Sequence, residues 1–339
     1  EGTAEGTEKR PEKVPEKGIM MKQKYIFVSV LLLVLMLAGV GLTELYVRQE
    51  RAESGEAFRV VTSFYPMYIA AENIIGSCSG VELQDLSGPQ TGCMHDYQLT
   101  TEDMVKLSGA DVFIVNGGGI ENFLSDVAKQ YPDLQMVYAS EPLELLEDNA
   151  HAWMSIQDYM TQVRAIADAL LRFDKNKSHG ELYKKNSTAY LEKLQKLKER
   201  QEQLAQALRE ELPQEGHAHE KTAAGGTKQA VIFHEAFAYT ARDLNLAIAG
   251  SMDLDEERQV SAGEVADMLK LIQEHGVQLI LAEELYGKRM CETLQKEADV
   301  KVVYLDTCVR GDYHADSYLN AMEENLAKLE QAILNPANP

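Results

Sequence analysis

The chain alternates short apolar runs with longer stretches whose apolar residues recur every three or four positions. In the first half, Phe58-Arg59-Val60-Val61 reads as a strand. Ser63-Phe64-Tyr65-Pro66 then turns the chain into a helix spaced from Met67 to Ile75, with Pro66 in its first turn. Val81 to Leu86 is a second strand, and Thr100 or Thr101 caps a short helix carrying Met104, Val105 and Leu107. Val112-Phe113-Ile114-Val115 is apolar throughout, which predicts a strand covered on both faces. After the turn Asn116-Gly117-Gly118-Gly119, a helix is expected from Glu121 to Tyr131 and a fourth strand at Met136-Val137-Tyr138. No Lys-Ser/Thr pair follows the three glycines, so they read as a tight turn and not as a phosphate loop.

The second half repeats this plan. An amphipathic helix from Ile156 to Phe173 and a long, charged helical stretch from Glu181 to Leu212 separate the halves. The latter has only a narrow apolar stripe, as expected of a helix that bridges two bodies. Strands are expected at Ala230 to Phe233, Leu246 to Ala249, Val277 to Ala282 and Val300 to Leu305. Helices are expected at Glu235 to Leu244, after the capping box Ser261/Glu264 to near His275, at Lys288 to Ala298, and at Ser317 to Leu334. Strands alternating with helices form parallel sheets, so the fold class is α/β, with two parallel-sheet lobes joined by one long helix.

The N-terminus changes the compartment. Residues 1–21 carry almost no apolar side chains and are expected to be disordered. Lys22 and Lys24 then precede the apolar run Ile26 to Leu42, so residues 22–48 read as an export signal or membrane anchor. Ala38-Gly39-Val40-Gly41 is only a fair cleavage site, which favours an uncleaved anchor over a cleaved signal. The remaining domains are expected at 57–173, a linker helix at 174–213, a flexible loop at 214–228 and a second lobe at 229–335.

Among 339 residues the formal net charge is −21, which argues against nucleic acid and suits a protein that attracts cations. Outside the cytoplasm four cysteines allow three pairings. Cys78 with Cys93 and Cys291 with Cys308 close the shortest loops and are preferred; Cys93 with Cys308 is the alternative.

Four positions lie just past an apolar run or in a short connection, where α/β proteins place ligand contacts. They are His95 in Gly92-Cys93-Met94-His95-Asp96-Tyr97, His151 in Asn149-Ala150-His151-Ala152-Trp153, His234 in Phe233-His234-Glu235-Ala236-Phe237, and Asp306 in Tyr304-Leu305-Asp306. Three imidazoles and one carboxylate suit tetrahedral zinc. Taken singly, a turn histidine is also a satisfied surface residue and Asp306 a cap. His179 and His275, among charged helical residues, read as surface side chains.

Taken together, Gly92 to Leu99, Asn149 to Met154 and His234 to Tyr239 resemble the signature segments of the extracytoplasmic solute-binding proteins of zinc and manganese ABC importers. So do Phe64-Tyr65-Pro66, Ala110 to Asn116-Gly117 with Glu121, Ser261 to Glu264 and Ala282-Glu283-Glu284, and the likeness spans about Phe58 to Leu334. The resemblance implies one divalent ion between two lobes, held by His95, His151, His234 and Asp306, and delivered by a monomer to an ABC permease. The manganese branch carries glutamate at the third position, and His234 there shifts the preference from manganese toward zinc.

The chain departs from this family in lacking a lipid-anchor cysteine and in reducing the histidine-rich loop to His217 and His219, flanked by Glu215 and Glu220. These two histidines read either as weak zinc scavengers or as part of a flexible linker. Asp96 and Glu121 are expected either to orient the histidines from behind or to cap and be solvated. Trp153 and Phe237 are expected to pack the cleft wall, and Glu283 to support the ligands. Two other functions stay open: a manganese- or iron-binding component of the same importer type, and a zinc hydrolase with Glu235 as general base.

Overall fold

The computed structural model describes residues 57–92, 94–95, 97–210, 227–254 and 260–334. The expected anchor, Cys93, Asp96 and the His217/His219 loop lie outside the described residues. Among the described residues no helix is long and apolar enough to cross a membrane.

Two four-stranded parallel sheets are present. The first contains β1 (Phe58–Thr62), β2 (Val81–Asp85), β3 (Val112–Val115) and β4 (Gln135–Tyr138) in the order β2-β1-β3-β4. The second contains β5 (Gln229–Ile232), β6 (Ala247–Ser251), β7 (Leu279–Ala282) and β8 (Lys301–Tyr304) in the matching order β6-β5-β7-β8. In the first, Val60 pairs with Val112 and Val112 with Gln135; in the second, Ala230 pairs with Leu279 and Leu279 with Lys301. β3 and β7 hold interior positions, and every residue of both is buried. That is the physical reason their sequences lack alternation.

The period of two then distributes the second sheet between two cores. Ala230, Ile232, Leu279 and Leu281 join a large central cluster, while Val231, Phe233, Ile280 and Ala282 face a smaller one with Leu254, Met268 and Leu294. The central cluster also takes in Val60, Phe113 and Trp153 from the first half and Leu305 and Tyr318 from the second, so one apolar body runs through both lobes.

The helices begin where their capping chemistry dictates. α1 (Tyr65–Ile75) carries Pro66 in its first turn, and α2 (Thr101–Gly109) is closed by a capping box between Thr100 and Asp103. α3 is Leu124–Gln130, and α4 (Ile156–Phe173) starts where the Ser155 hydroxyl accepts from the Asp158 amide. In the second half α6 is Phe237–Asp243, and α7 (Ala262–His275) has the Ser261/Glu264 capping box and ends at left-handed Gly276. α8 is Lys288–Glu297 and α9 is Ser317–Leu334.

Between the sheets in sequence runs α5 (Lys177–Glu210), 34 residues and therefore about 50 Å long. Its buried stripe includes Tyr183, Tyr190, Leu194, Leu197, Leu204 and Leu208, and the helix packs on α1, α4, α6 and α9. Nearby, Tyr159 of α4 stacks on Tyr318 of α9 with ring centroids 3.8 Å apart. Their hydroxyls donate to the carbonyls of Pro66 and Trp153.

Two expectations are corrected here. His179 is not a surface residue: it is buried at the corner between α4 and α5, with Nδ1 2.8 Å from Asp174 Oδ2 and Nε2 2.8 Å from Asn176 Nδ2. Tyr183 donates to the same Asp174 oxygen, so the polar corner is satisfied inside the fold. Among the described residues no favoured disulfide is formed: Cys78, Cys291 and Cys308 are buried free thiols. Cys308 lies in the central cluster and Cys291 in the smaller one, so each packs as a small hydrophobe.

Burial pushes the Cys291 thiol up to about 12 and the Cys308 thiol well above its ordinary value. Since the thiolate is the reactive form, Cys291 and Cys308 are expected to resist iodoacetamide in the native protein and to alkylate fully in denaturant. Mass spectrometry of peptides from the two conditions checks this. Rapid native labelling of either residue would contradict the packing.

Candidate metal centre

All three sequence-predicted histidines lie at strand-to-helix connections, and the fold brings their rings into one cluster. His95 follows β2 in a loop whose carbonyl at His95 accepts from Asn122 Nδ2 at 2.6 Å. At the mouth of that loop Gly92 has φ 89°, and a Cβ there would run into the Arg310 guanidinium. Arg310 in turn donates to Glu283 at 3.1 Å and to the Tyr286 hydroxyl at 2.7 Å. The adjoining Gly311 donates its amide to the Pro89 carbonyl, and a Cβ on Gly311 would fall on the Tyr65 hydroxyl. The segment after β8 thus lies against the His95 loop.

His151 is fully buried and opens the short 3₁₀ turn Ala152–Met154. Asn149 fixes it, since Asn149 Oδ1 accepts from the His151 amide at 2.9 Å and lies 2.9 Å from the ring Nδ1. The same asparagine reaches the other half of the chain, where its Nδ2 donates to the Glu235 carbonyl at 2.8 Å and its carbonyl accepts from the Tyr239 hydroxyl at 2.6 Å. His234 stands between β5 and α6, with its Nδ1 accepting from the Ala236 amide at 3.1 Å.

The His151 ring centroid is 5.1 Å from those of both His95 and His234. Trp153 lies 5.0 Å from His151 and Phe237 6.0 Å from His234, so these aromatics wall the cluster as expected. Burial, reinforced by the neighbouring imidazoles of His234 and His95, holds His151 well below the ordinary histidine range. Burial also lowers His234, against the pull of Asp253 and with the push of His95 and Arg310. Neutral imidazoles can offer a lone pair to a cation, so His151 and His234 need not lose a proton at neutral pH before an ion binds.

The two acids nearest in sequence to the second-lobe ligands differ in placement. Asp306, at the end of β8, is exposed; its Oδ1 accepts from the Cys308 amide at 2.7 Å and its backbone is held by Asn325. Glu235, one residue past His234, instead brings Oε1 to 3.3 Å from His95 Nε2 and 3.2 Å from His151 Nδ1. Among the described residues the group of donors within 4.8 Å of one another is His95, His151 and Glu235.

Glu121 does not touch a histidine. Its carboxylate accepts from Ser63 Oγ at 2.8 Å and from the amides of Asn116 at 2.7 Å and Gly117 at 3.0 Å. This clamps the glycine turn, and Asn116 Nδ2 passes the constraint on by donating to the Ala150 carbonyl beside His151. Glu283 is tied to Arg310 and Thr307.

Comparison with known proteins settles what kind of molecule carries this cluster. The family model for the periplasmic zinc-uptake complex component A, ZnuA, matches residues 60–332. The chain belongs to the ZnuA family. Members of the ZnuA family are metal-binding components of zinc and manganese importers, substrate-binding proteins and not enzymes, which removes the hydrolase alternative.

Curated relatives include the manganese-binding lipoprotein MntA of Halalkalibacterium halodurans, 26% identical over 316 residues that cover 91% of this chain and 97% of the relative. The high-affinity zinc uptake system protein ZnuA of Bacillus subtilis is 25% identical, covering 83% of this chain and 89% of the relative. Among solved structures, the Zn(II)-bound ZnuA-like domain of Streptococcus pneumoniae AdcA superposes with a TM-score of 0.66 at 26% identity, covering 81% of this chain and 98% of that domain. The ZnuA-family fold is thus the two-lobed parallel α/β architecture described above.

Proposed function

We propose that this chain captures Zn(II) outside the cytoplasm, held by an N-terminal anchor or secreted, and delivers it as a monomer to an ABC permease. The observation that supports the reading most is His151, fully buried between two further imidazoles and kept neutral by that burial. His95, His151 and His234 supply the nitrogens, His234 once its Nδ1 releases the Ala236 amide, and Asp306 supplies an oxygen. The first lobe (57–173) carries the first two ligands and the second (229–335) the others, with 174–213 as the linker.

Relatives named for zinc and for manganese both occur, so the choice of ion rests on the donor set. Three imidazoles favour zinc over manganese, because nitrogen-rich sites rank Zn(II) far above Mn(II) while carboxylate-rich sites suit Mn(II). Titration of the metal-free protein with each ion against a chromophoric chelator is expected to give zinc an affinity at least about a hundredfold above that for manganese. Equal or tighter manganese binding would replace zinc with manganese as the cargo.

A further inference from the structure

The proposed ligand set leaves out the acid that lies nearest the imidazoles. We infer that Glu235 is an oxygen donor to the captured ion, an assignment that rests on the metal-capture reading above and adds a ligand from the turn that already bears His234. Tetrahedral zinc holds its ligands at about 2.0–2.1 Å, which places neighbouring donor atoms about 3.3 Å apart. Glu235 Oε1 lies 3.3 Å from His95 Nε2 and 3.2 Å from His151 Nδ1. The spacing to His95 Nε2 is that of two donors on one ion, whereas a strong hydrogen bond between a carboxylate and an imidazolium would be shorter; the His151 Nδ1–H faces Asn149 Oδ1, so its approach to Glu235 is a hydrogen-bond contact and not a ligand spacing.

The surroundings support the assignment independently. His95 Nε2 is buried and has no hydrogen-bond partner, although a carboxylate oxygen faces it. Buried polar atoms left in this way are uncommon in folded proteins, and an ion between nitrogen and oxygen would satisfy both.

The backbone of Glu235 is fixed on two sides. Its amide donates to Asp253 Oδ1 at 2.9 Å, and its carbonyl accepts from Asn149 Nδ2 at 2.8 Å. Its carboxylate is anchored at the base while the side chain stays 43% exposed, within reach of an arriving cation. Asp306, in contrast, already accepts the Cys308 amide on Oδ1.

The test uses the full chain, loaded with Zn(II) for affinity and with Co(II) for its d–d spectrum, which reports the donor set directly. Glu235→Gln is expected to weaken zinc binding by about tenfold or more, to shift and weaken the Co(II) bands, and to leave the melting temperature of the metal-free protein unchanged. An anomalous-scattering map of the zinc-loaded wild type is expected to place a Glu235 oxygen at about 2.0–2.2 Å from the metal. Wild-type Co(II) bands in Glu235→Gln overturn the proposal whether or not affinity falls, because Glu235 then only positions the histidines. His95→Ala separates the two levels of argument: if it loses both ions the capture reading stands whatever Glu235 does, and if it keeps both that reading fails as well.

Discussion

Replacing His151 by alanine is expected to lower zinc affinity by more than about a hundredfold while the protein stays folded. The expectation follows from position. His151 is fully buried and its ring lies 5.1 Å from both other imidazoles, so no surface residue can swing in to replace it. Changing a group that merely supports a ligand costs 10- to 100-fold, and loss of the ligand at the middle of the cluster should exceed that range.

The fold tolerates the change because the constraint on this loop runs through the backbone. Asn149 still receives the amide of residue 151 and still joins Glu235 and Tyr239 across the lobes. His179→Ala is the matched control. That histidine is also buried, but its partners are Asp174 and Asn176 at the α4–α5 corner. Removing it leaves Asp174 short of a partner, at a cost of about 1–3 kcal/mol, so the melting temperature should fall while zinc affinity holds. Chelator competition and thermal melts on both variants check the pair, and a His151→Ala protein that binds zinc as wild type would remove this cluster from the capture function.

These two histidines also mark what a linear reading reaches. His151 was legible because its neighbours Asn149, Trp153 and Met154 form a segment with a distinctive pattern, placed between a strand and a helix. His179 was not, since its burial comes from a chain reversal that brings Asp174 and Tyr183 around it, and nothing in the flanking charges announces that. The strands were legible for the same reason throughout: runs such as Val112 to Val115 and Leu279 to Ala282 have no polar face to expose, and the apolar spacing of α4, α5 and α9 survives their heavy charge.

The cysteines misled. Sequence separation ranks loop closures but carries no information about which core each thiol enters, and Cys291 and Cys308 enter different ones. Glu121 was open between orienting a histidine and capping, and it caps. Its closeness to the glycine turn was visible, but the carboxylate caps the amides of Asn116 and Gly117 and does not reach an imidazole. In the sequence Glu235 reads only as a base, because an acid directly after a ligand histidine matches a catalytic pattern before a coordinating one. Its approach to His95 and His151 depends on how two lobes close, a relation that no local pattern encodes.

The second large effect concerns Asp85, and it appears as a change in how stability depends on pH. Asp85 ends β2 and is buried, accepting from the Tyr313 hydroxyl at 2.9 Å and from Thr62 Oγ1 at 3.1 Å. Burial raises it from 3.8 to about 6, despite opposing help from Tyr313, Thr62, the Lys106 ammonium and the Leu86 amide. The folded state therefore holds this proton more tightly than the unfolded chain, whose aspartate titrates near about 3.9.

By linkage the stabilisation is complete below about pH 4 and is lost as pH rises through about 6. The gap between about 4 unfolded and about 6 folded corresponds to about 3 kcal/mol, and with the side chain buried little of this is screened by solvent. Asp85→Asn abolishes the titration; its Oδ1 still accepts from Thr62 Oγ1, and its NH2, in place of Oδ2, faces the Tyr313 hydroxyl, which can turn to accept. The metal-free variant is thus expected to gain up to about 3 kcal/mol over wild type at pH 8 and nothing at pH 4. Other buried carboxylates, Glu121 and Glu283 among them, are raised in the same direction and contribute equally to both proteins, so the difference between them isolates Asp85. Urea unfolding at the two pH values measures that difference, and parallel pH profiles for wild type and variant would show that the buried carboxylate titrates without the cost its surroundings imply.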